Sequence, residues 1–400
     1  MGTTDLLHTL RGAWARHQRW VLPSLILIMA VAAGLKLTSE FQRLLWDTGY
    51  TGAIDVRQLH RWVGDWFSGR TRSWVYPPGA FVMLWPLVGW LSLGATKWLW
   101  AITSLLALTI TILLMFRVTE AKTFMERCFV ALLLLSLNGT GVTIGNGQVI
   151  LHILPALIAS ILVLERGHGS VVEDLGAAAL MTWALMKPTV SAPFFWIILF
   201  GWKRWRPALF VAALYLGVTL FACAFRNESV VEIIRVFIKS ASEGAEESLG
   251  TRNIHALLAS LGRGEYNGLA SIIILVMLGA WTFWYRRADP WLLTGVAALV
   301  ARMWTYHRVY DDVLIVLAEL ALFRVATRSA STNQQTIAGI LLGLTTMAML
   351  CPARLLQDPW RWRWAVASSH VLLWLIVLGF LMLSARASLS LKKSKLPAEP

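Results

Sequence analysis

The sequence predicts an all-α fold, a polytopic bundle of helices in a membrane, and three observations carry that prediction. Of 400 residues, 57% are hydrophobic and 14% charged, with a mean hydropathy of +0.62, outside the range of ordinary soluble domains. The apolar residues fall in long runs, and about 20 in succession are what a helix needs to cross a bilayer. The chain carries a formal charge of +14, with its basic residues gathered in short connections between runs. That is the pattern of cytoplasmic loops and not of a nucleic-acid surface. A soluble enzyme with one buried core is excluded. Membrane lipids are the expected surroundings, and no nucleic acid is expected as a partner.

The first run, near 20–38, follows Arg11, Arg16 and Arg19. It is long for the core of a cleavable leader and further runs follow. It reads as an uncleaved first span with its basic end, and the N-terminus, in the cytoplasm. The other runs lie near 79–93, 98–116, 127–144, 148–164, 175–187, 188–201, 207–225, 268–285, 290–304, 312–328, 336–352 and 365–384. Counting Lys and Arg orients them. The stretch 203–206, Arg286 with Arg287, Arg324 with Arg328, and the tail with Lys392, Lys393 and Lys395 belong to the cytoplasm. Residues 1–385 then form one transmembrane domain of the plasma membrane, and 386–400 a disordered basic tail, also cytoplasmic.

Walking back from 203–206 places the Lys187-Pro188 turn outside, Glu165–Asp174 inside, Gly145–Gln148 outside and Arg117–Arg127 inside. This agrees with the N-terminus only if one run fails to cross. Run 79–93 reaches roughly 22 Å at about 1.5 Å per residue, short of the roughly 30 Å hydrocarbon core, and Pro86 interrupts it. It reads as re-entrant, leaving about 12 spans. The alternative lets this run cross and fuses 175–201 into one kinked helix, which moves the Gly145 region to the cytoplasm.

Two long segments are then external, 40–78 and 226–267, with a shorter one at Thr305–Asp312. In the first, Asp55 precedes Leu59, Trp62, Val63, Trp66 and Phe67, the spacing of an amphipathic helix lying on the membrane surface. Asp55 projects onto the apolar stripe, and Arg57 and Arg61 onto the opposite, solvated side. A helix cap or first-turn aspartate explains the residue equally simply. Tyr76-Pro77-Pro78 fixes the backbone where the segment returns to the bilayer. Gly145-Asn146-Gly147-Gln148 is a polar break between two runs. Such backbone is tolerated where it lines a cavity or is buried in protein, and the alternative is an ordinary tight turn. Asn146 and Gln148 can hydrogen-bond a hydroxyl or a phosphate.

Lys187 sits in ALMTWALMKPTVSAPFFW, and Arg302 in ALVARMW. Intramembrane cations are costly and point to function, unless they snorkel to the interface. Tyr306, His307, Arg308, Tyr310, Asp311 and Asp312 crowd one external turn, where His and Arg can hold a phosphate; a solvated loop is the plain alternative. The three cysteines, Cys128, Cys223 and Cys351, lie in apolar runs and read as small core residues. No metal-ligand spacing occurs, and no cofactor is expected.

Taken in order, AIDVRQLHRWVGDWFSG, VYPPGAFVMLWPL, GNGQVILHILPALIA, ALMKPTVSAPFFWIILFGWKRWR and YHRVYDDVLIVL resemble the polyprenol-phosphate-sugar-dependent glycosyltransferases of the GT-C fold. The resemblance is closest to glycosyltransferase family 87, which includes mannosyltransferases and arabinofuranosyltransferases of envelope lipids and glycans. It extends over residues 20–330. The family often has an asparagine one residue beyond Gly-Gln, whereas here Gly147-Gln148 runs into Val149-Ile150-Leu151. The resemblance implies that Asp55 is the catalytic base and that His307 shares its site. It implies a hexosyl- or pentosyltransferase using a polyprenyl-phosphate sugar donor and a lipid or glycan acceptor, on the non-cytoplasmic face and with inversion. Lys187, Arg302 and Arg308 would hold the donor phosphate, and Tyr76, Asn146, Gln148 and Tyr306 would line the substrate. The rival classes are a secondary transporter or lipid flippase, and a non-catalytic scaffold subunit.

Overall fold

The computed structural model describes residues 3–49, 51–70, 75–202, 204–243, 253–351 and 360–394. Among these residues there are seventeen α-helices and no strand. The first group is α1 (Thr3–Trp46), α2 (Ile54–Phe67), α3 (Pro78–Val88), α4 (Leu93–Thr119), α5 (Phe124–Leu135) and α6 (Asn138–Asn146). The middle of the chain forms α7 (Ile150–Arg166), α8 (Val171–Ala184), α9 (Pro188–Phe200), α10 (Arg206–Cys223), α11 (Val230–Glu243) and α12 (Ile254–Ser260). It closes with α13 (Asn267–Trp284), α14 (Pro290–Met303), α15 (Ile315–Arg328), α16 (Thr332–Leu350) and α17 (Trp360–Ser394).

Long helices surround short ones. Among the described residues five helices are long and apolar enough to cross a bilayer: Leu22–Trp46, Leu93–Thr119, Arg206–Cys223, Gly264–Trp284 and Ser368–Leu389. Counting α5 and α6, bent by 50°, as one span makes six. By this measure the expected count of about 12 is not reached. The reason is that polar breaks and prolines cut the inner runs. Helices α8, α9, α14 and α15 have 13 or 14 residues each, a rise of roughly 20 Å. The long helices keep apolar side chains on the outside: Leu35 of α1, Leu113 of α4, Leu216 of α10, Met277 of α13 and Leu383 of α17 are all exposed. On a water-facing surface this would be a liability; toward lipid it is the ordinary state. The inner helices α7, α14 and α15 are buried on nearly every side.

Several expectations meet the structure directly. Residues 185–187 separate α8 from α9, with Pro188 at the first helical position, so 175–201 is two helices and not one kinked helix. Helix α3 has 11 residues and opens on the Pro77-Pro78 turn. Helix α2 buries Val56, Leu59, Val63 and Trp66, as its spacing requires. Arg57, placed by the same spacing on the solvated side, is in fact half-buried and donates to the Asp47 carbonyl at 2.7 Å. The residues before α2 fold back over that side of the helix. The C-terminal segment is helical to Ser394, not irregular from 386. No proline or glycine interrupts it between Ala385 and Ser394, so nothing stops the helix there. Lys395 lies outside the described residues.

One contact fixes relative topology. The Ala53 N–H donates to the Gly145 carbonyl at 2.9 Å, so the start of α2 and the Gly145–Gln148 turn lie on the same face of the bundle. With 40–78 external, as the charge pattern predicts, a cysteine at Asn146, which is half-buried, is expected to react with an impermeant thiol reagent added from outside. Labelling only after the membrane is disrupted would put this whole face in the cytoplasm.

Candidate active site

The α2–α6 junction is built around close backbone contact. Gly147 ends α6 with φ +74°, in the left-handed region glycine tolerates, and a Cβ there would stand 2.7 Å from Val56 Cβ of α2. Ala53 is also left-handed, at φ 54°. That conformation costs a residue with a Cβ on the order of 1 kcal/mol or more, and the hydrogen bond to Gly145 helps hold it. Ala53 is the N-cap of α2, and no side chain caps the helix. Asp55 sits one position inside the first turn, with its carboxylate free for another task. Asp55 is thus not the cap, and it occupies the first-turn position that the sequence also offered for it.

The carboxylate points into the protein. Asp55 Oδ2 is buried without a hydrogen-bond partner among the described residues, and the Gln148 side chain lies beside the carboxylate group. Burial pushes the Asp55 carboxyl above its ordinary range, against the opposing pull of Gln148, Lys187 and Arg308. Tyr76, buried just before α3, packs edge-on to Trp62 of α2 at 6.2 Å. Its phenol is pushed well up, by burial first and then by the charges of Asp55 and Asp311. Both carboxylates therefore lie near enough to act on Tyr76.

The third wall is the turn after α14. Thr143 of α6 donates to the Tyr310 carbonyl at 3.0 Å, clamping α6 onto the 3-10 turn Val309–Leu314. Asp311 within it is the hub. Its Oδ1 accepts from Lys187 Nζ at 2.8 Å; its Oδ2 accepts from His307 Nδ1 at 3.0 Å and from the Arg308 backbone N–H at 3.3 Å. Lys187 also stands 4.9 Å over the Tyr310 ring. Burial would raise the Asp311 carboxyl, but Lys187 and His307 outweigh it and hold the group well below the usual carboxylate range. His307 is fully buried, and burial, with Arg302 and Lys187, lowers its pKa despite Asp311. The lowered pKa favours the neutral ring. Its Nδ1–H goes to Asp311, which leaves Nε2 as a lone-pair acceptor, and that atom has no partner among the described residues. Arg308 is exposed, with its guanidinium bonded to the Tyr306 hydroxyl and 5.7 Å from that ring.

Arg302 lies deeper. It is 1% exposed, its Nε donates to Asp312 Oδ1 at 2.5 Å, and its guanidinium stands 5.1 Å from the Trp374 ring of α17. Of the sequence candidates, the structure brings Asp55, Tyr76, Gln148, Lys187, Tyr306, His307 and Arg308 to one neighbourhood. Asn146 stays at the end of α6, while Gln148 makes the reach to Asp55. Arg302 sits beneath the group, closed off by Asp312. Sequence reading named Asp311 and Asp312 but gave them no task. The available signal was the pairing of two intramembrane cations with two adjacent carboxylates, since buried charges need counter-ions.

The arrangement offers a carboxylate with a raised pKa, a neutral imidazole with an open lone pair, two cations and three phenols. That set can take a proton from a hydroxyl while holding an anion. The family model for glycosyltransferase family 87 matches residues 74–305, more than half of the chain. The match includes Tyr76, Gln148, Lys187 and Arg302 and stops short of Asp55, His307 and Arg308, whose grouping rests on the geometry. No curated protein and no solved structure matches the chain.

Proposed function

The chain belongs to glycosyltransferase family 87, and on that premise we propose that it transfers mannose or arabinofuranose from a polyprenyl-phosphate donor to a lipid or glycan acceptor. It is an integral membrane glycosyltransferase; the donor, the non-cytoplasmic site and the inverting outcome are our reading. The observation that carries it is Asp55, half-buried at the head of α2 with an oxygen that has no hydrogen-bond partner among the described residues, near enough to Lys187 and Arg308 to feel their charge.

The acceptor hydroxyl is a poor nucleophile near neutral pH. Asp55 takes its proton as the oxygen attacks the anomeric carbon. The bond from that carbon to the phosphate oxygen breaks, and its electron pair leaves with polyprenyl phosphate, which gains negative charge. Arg308, exposed and with donors to spare, meets that charge, and Lys187 supports it. Arg302 acts from below, by fixing Asp312 beside Asp311. Gln148 orients the Asp55 carboxylate, and Tyr76, Tyr306 and Asn146 border the substrate. His307 accepts a substrate hydroxyl at Nε2. Helix α3 is re-entrant, and the short inner helices complete about 12 crossings within a protein-lined interior. The 1–385 bundle is one domain of the plasma membrane, with both termini cytoplasmic.

Membranes containing this protein, given a panel of radiolabelled polyprenyl-phosphate sugars, are expected to transfer label from one of them. No transfer from any would count against the donor class. Lys187 lowers the pKa of both Asp55 and His307, and activity needs both deprotonated. Lys187→Met is therefore expected to move the acid limb of the kcat/KM profile to higher pH and to weaken donor binding. An unmoved limb with unchanged donor affinity would remove Lys187 from the site.

A further inference from the structure

The second external segment brings another set of polar side chains near the turn that carries His307. Asn253 caps α12, its Oδ1 accepting from Ala256 N–H at 3.0 Å. His255, in the first turn of α12, donates from Nε2 to the Asn267 carbonyl at 3.1 Å and toward Ser271 Oγ at 2.7 Å. Ser271 donates onward to the Trp304 carbonyl at 2.8 Å, and Trp304 Nε1 to the Thr189 carbonyl at 2.7 Å. This chain of bonds ends two residues from Lys187. Through Ser271, His255 is tied to the Trp304 carbonyl, three residues ahead of His307. Segments of this kind usually leave their polar groups in water, yet Asn253, His255 and Asn267 are 8%, 9% and 8% exposed.

Four buried atoms of this group have no hydrogen-bond partner among the described residues: Nδ2 of Asn253, Nδ1 of His255, Oδ1 of Asn267 and Nε2 of His307. Buried polar atoms are almost always satisfied, and each exception asks for an explanation. The chemistry of the four is selective. A carbonyl can only accept, so His255 Nε2 carries the proton and Nδ1 carries a lone pair. The same reasoning makes His307 Nε2 an acceptor, because Asp311 takes the other N–H. Asn267 Oδ1 accepts as well, and only Asn253 Nδ2 donates. Three acceptors and one donor repel a phosphate. They suit a ligand that presents several hydroxyl groups.

We infer that Asn253, His255 and Asn267, together with His307, form the subsite for the hydroxyl groups of the sugar ring on the donor lipid. The phosphate lies on the Arg308 and Lys187 side. This rests on the donor class proposed above and adds the side chains that read the sugar. Such a site discriminates strongly, because a ligand without the hydroxyls leaves the buried groups unpaired.

The test uses the full-length protein in nanodiscs and two probes, polyprenyl-phosphate mannose and unsugared polyprenyl phosphate. His255→Gln keeps a donor near Nε2 and removes the Nδ1 acceptor; Asn267→Leu removes Oδ1 at similar volume. Each variant is expected to bind the sugar-bearing lipid about three- to tenfold more weakly, the worth of one hydrogen bond, while affinity for the unsugared lipid stays at the wild-type value. Unchanged affinity for both lipids would overturn the subsite. So would an equal loss for both, which would mean that the residues only hold α12 against α13. A wild type that does not distinguish the two lipids would overturn the donor class itself, and the subsite with it.

Discussion

Asp55→Asn is expected to lower kcat by about 100-fold or more, the scale of a general-base contribution, with donor affinity kept. The substitution preserves shape and the contact with Gln148 while removing the lone pair that takes the proton. Stability should not suffer, and the sign follows from the titration. Burial raises the folded-state pKa of Asp55 above the unfolded value, so the native state holds the proton more tightly than the unfolded chain. Ionisation then costs stability as pH rises through the window between the two values, and above the folded pKa that cost is fully present. Asparagine removes it, so at neutral pH the variant should unfold at the same temperature as wild type or higher. The acid limb of the wild-type rate profile should fall at a pH above that of an ordinary carboxylate and vanish in the variant. His307→Ala should cost less alone and little more in the Asp55→Asn background, since groups serving one transition state do not add. A wild-type rate in Asp55→Asn would remove the base. Fully additive losses would separate His307 from it.

Arg302→Met is expected to destabilise the protein by about 3–5 kcal/mol, the cost of breaking a buried ion pair by deleting one partner. Arg302 is 1% exposed and bonded to Asp312 at 2.5 Å. Methionine keeps the length and the apolar contact with Trp374 but leaves the Asp312 carboxylate without this cation. Arg302→Met combined with Asp312→Asn should recover most of the loss, because a neutral pair carries no buried charge. Denaturant unfolding in mixed micelles would measure both. A loss below about 1 kcal/mol, the value of an exposed pair, would mean that the site is wetter than its burial implies. The contrast with Asp55 is the point of comparison: one residue is expected to govern rate at constant stability, the other stability first.

The helical class, the membrane setting and the existence of α2 were legible in the sequence because they depend on local properties. Run length and hydropathy report the solvent a helix prefers, and a period near 3.6 reports one buried face. Asp55, Lys187 and Arg302 could also be singled out, since an ionisable group in apolar surroundings is costly wherever the chain folds. What each does was not legible. Lys187 and Arg302 looked alike as intramembrane cations, yet Lys187 borders the site through Asp311 and Arg302 is sealed beneath it by Asp312. Arg57 was placed in water by helical spacing alone, and the preceding loop covers it.

The length of the inner helices was not legible for a similar reason. Hydropathy does not register that Ser136-Leu137 breaks the run 127–144, or that the runs on either side of Lys187 fold as helices of only 14 and 13 residues. Sequence by itself determined which residues avoid water and which ones carry charge at a cost. Only the tertiary structure decided which charges meet. Asp55 and Asp311 are 256 positions apart, and no local signal links them. They come together because Gly147 lets α6 approach α2 and because Thr143 clamps the same α6 onto the turn that carries Asp311. Pairing of that kind is a property of backbone packing across the bundle, and spacing along the chain does not encode it.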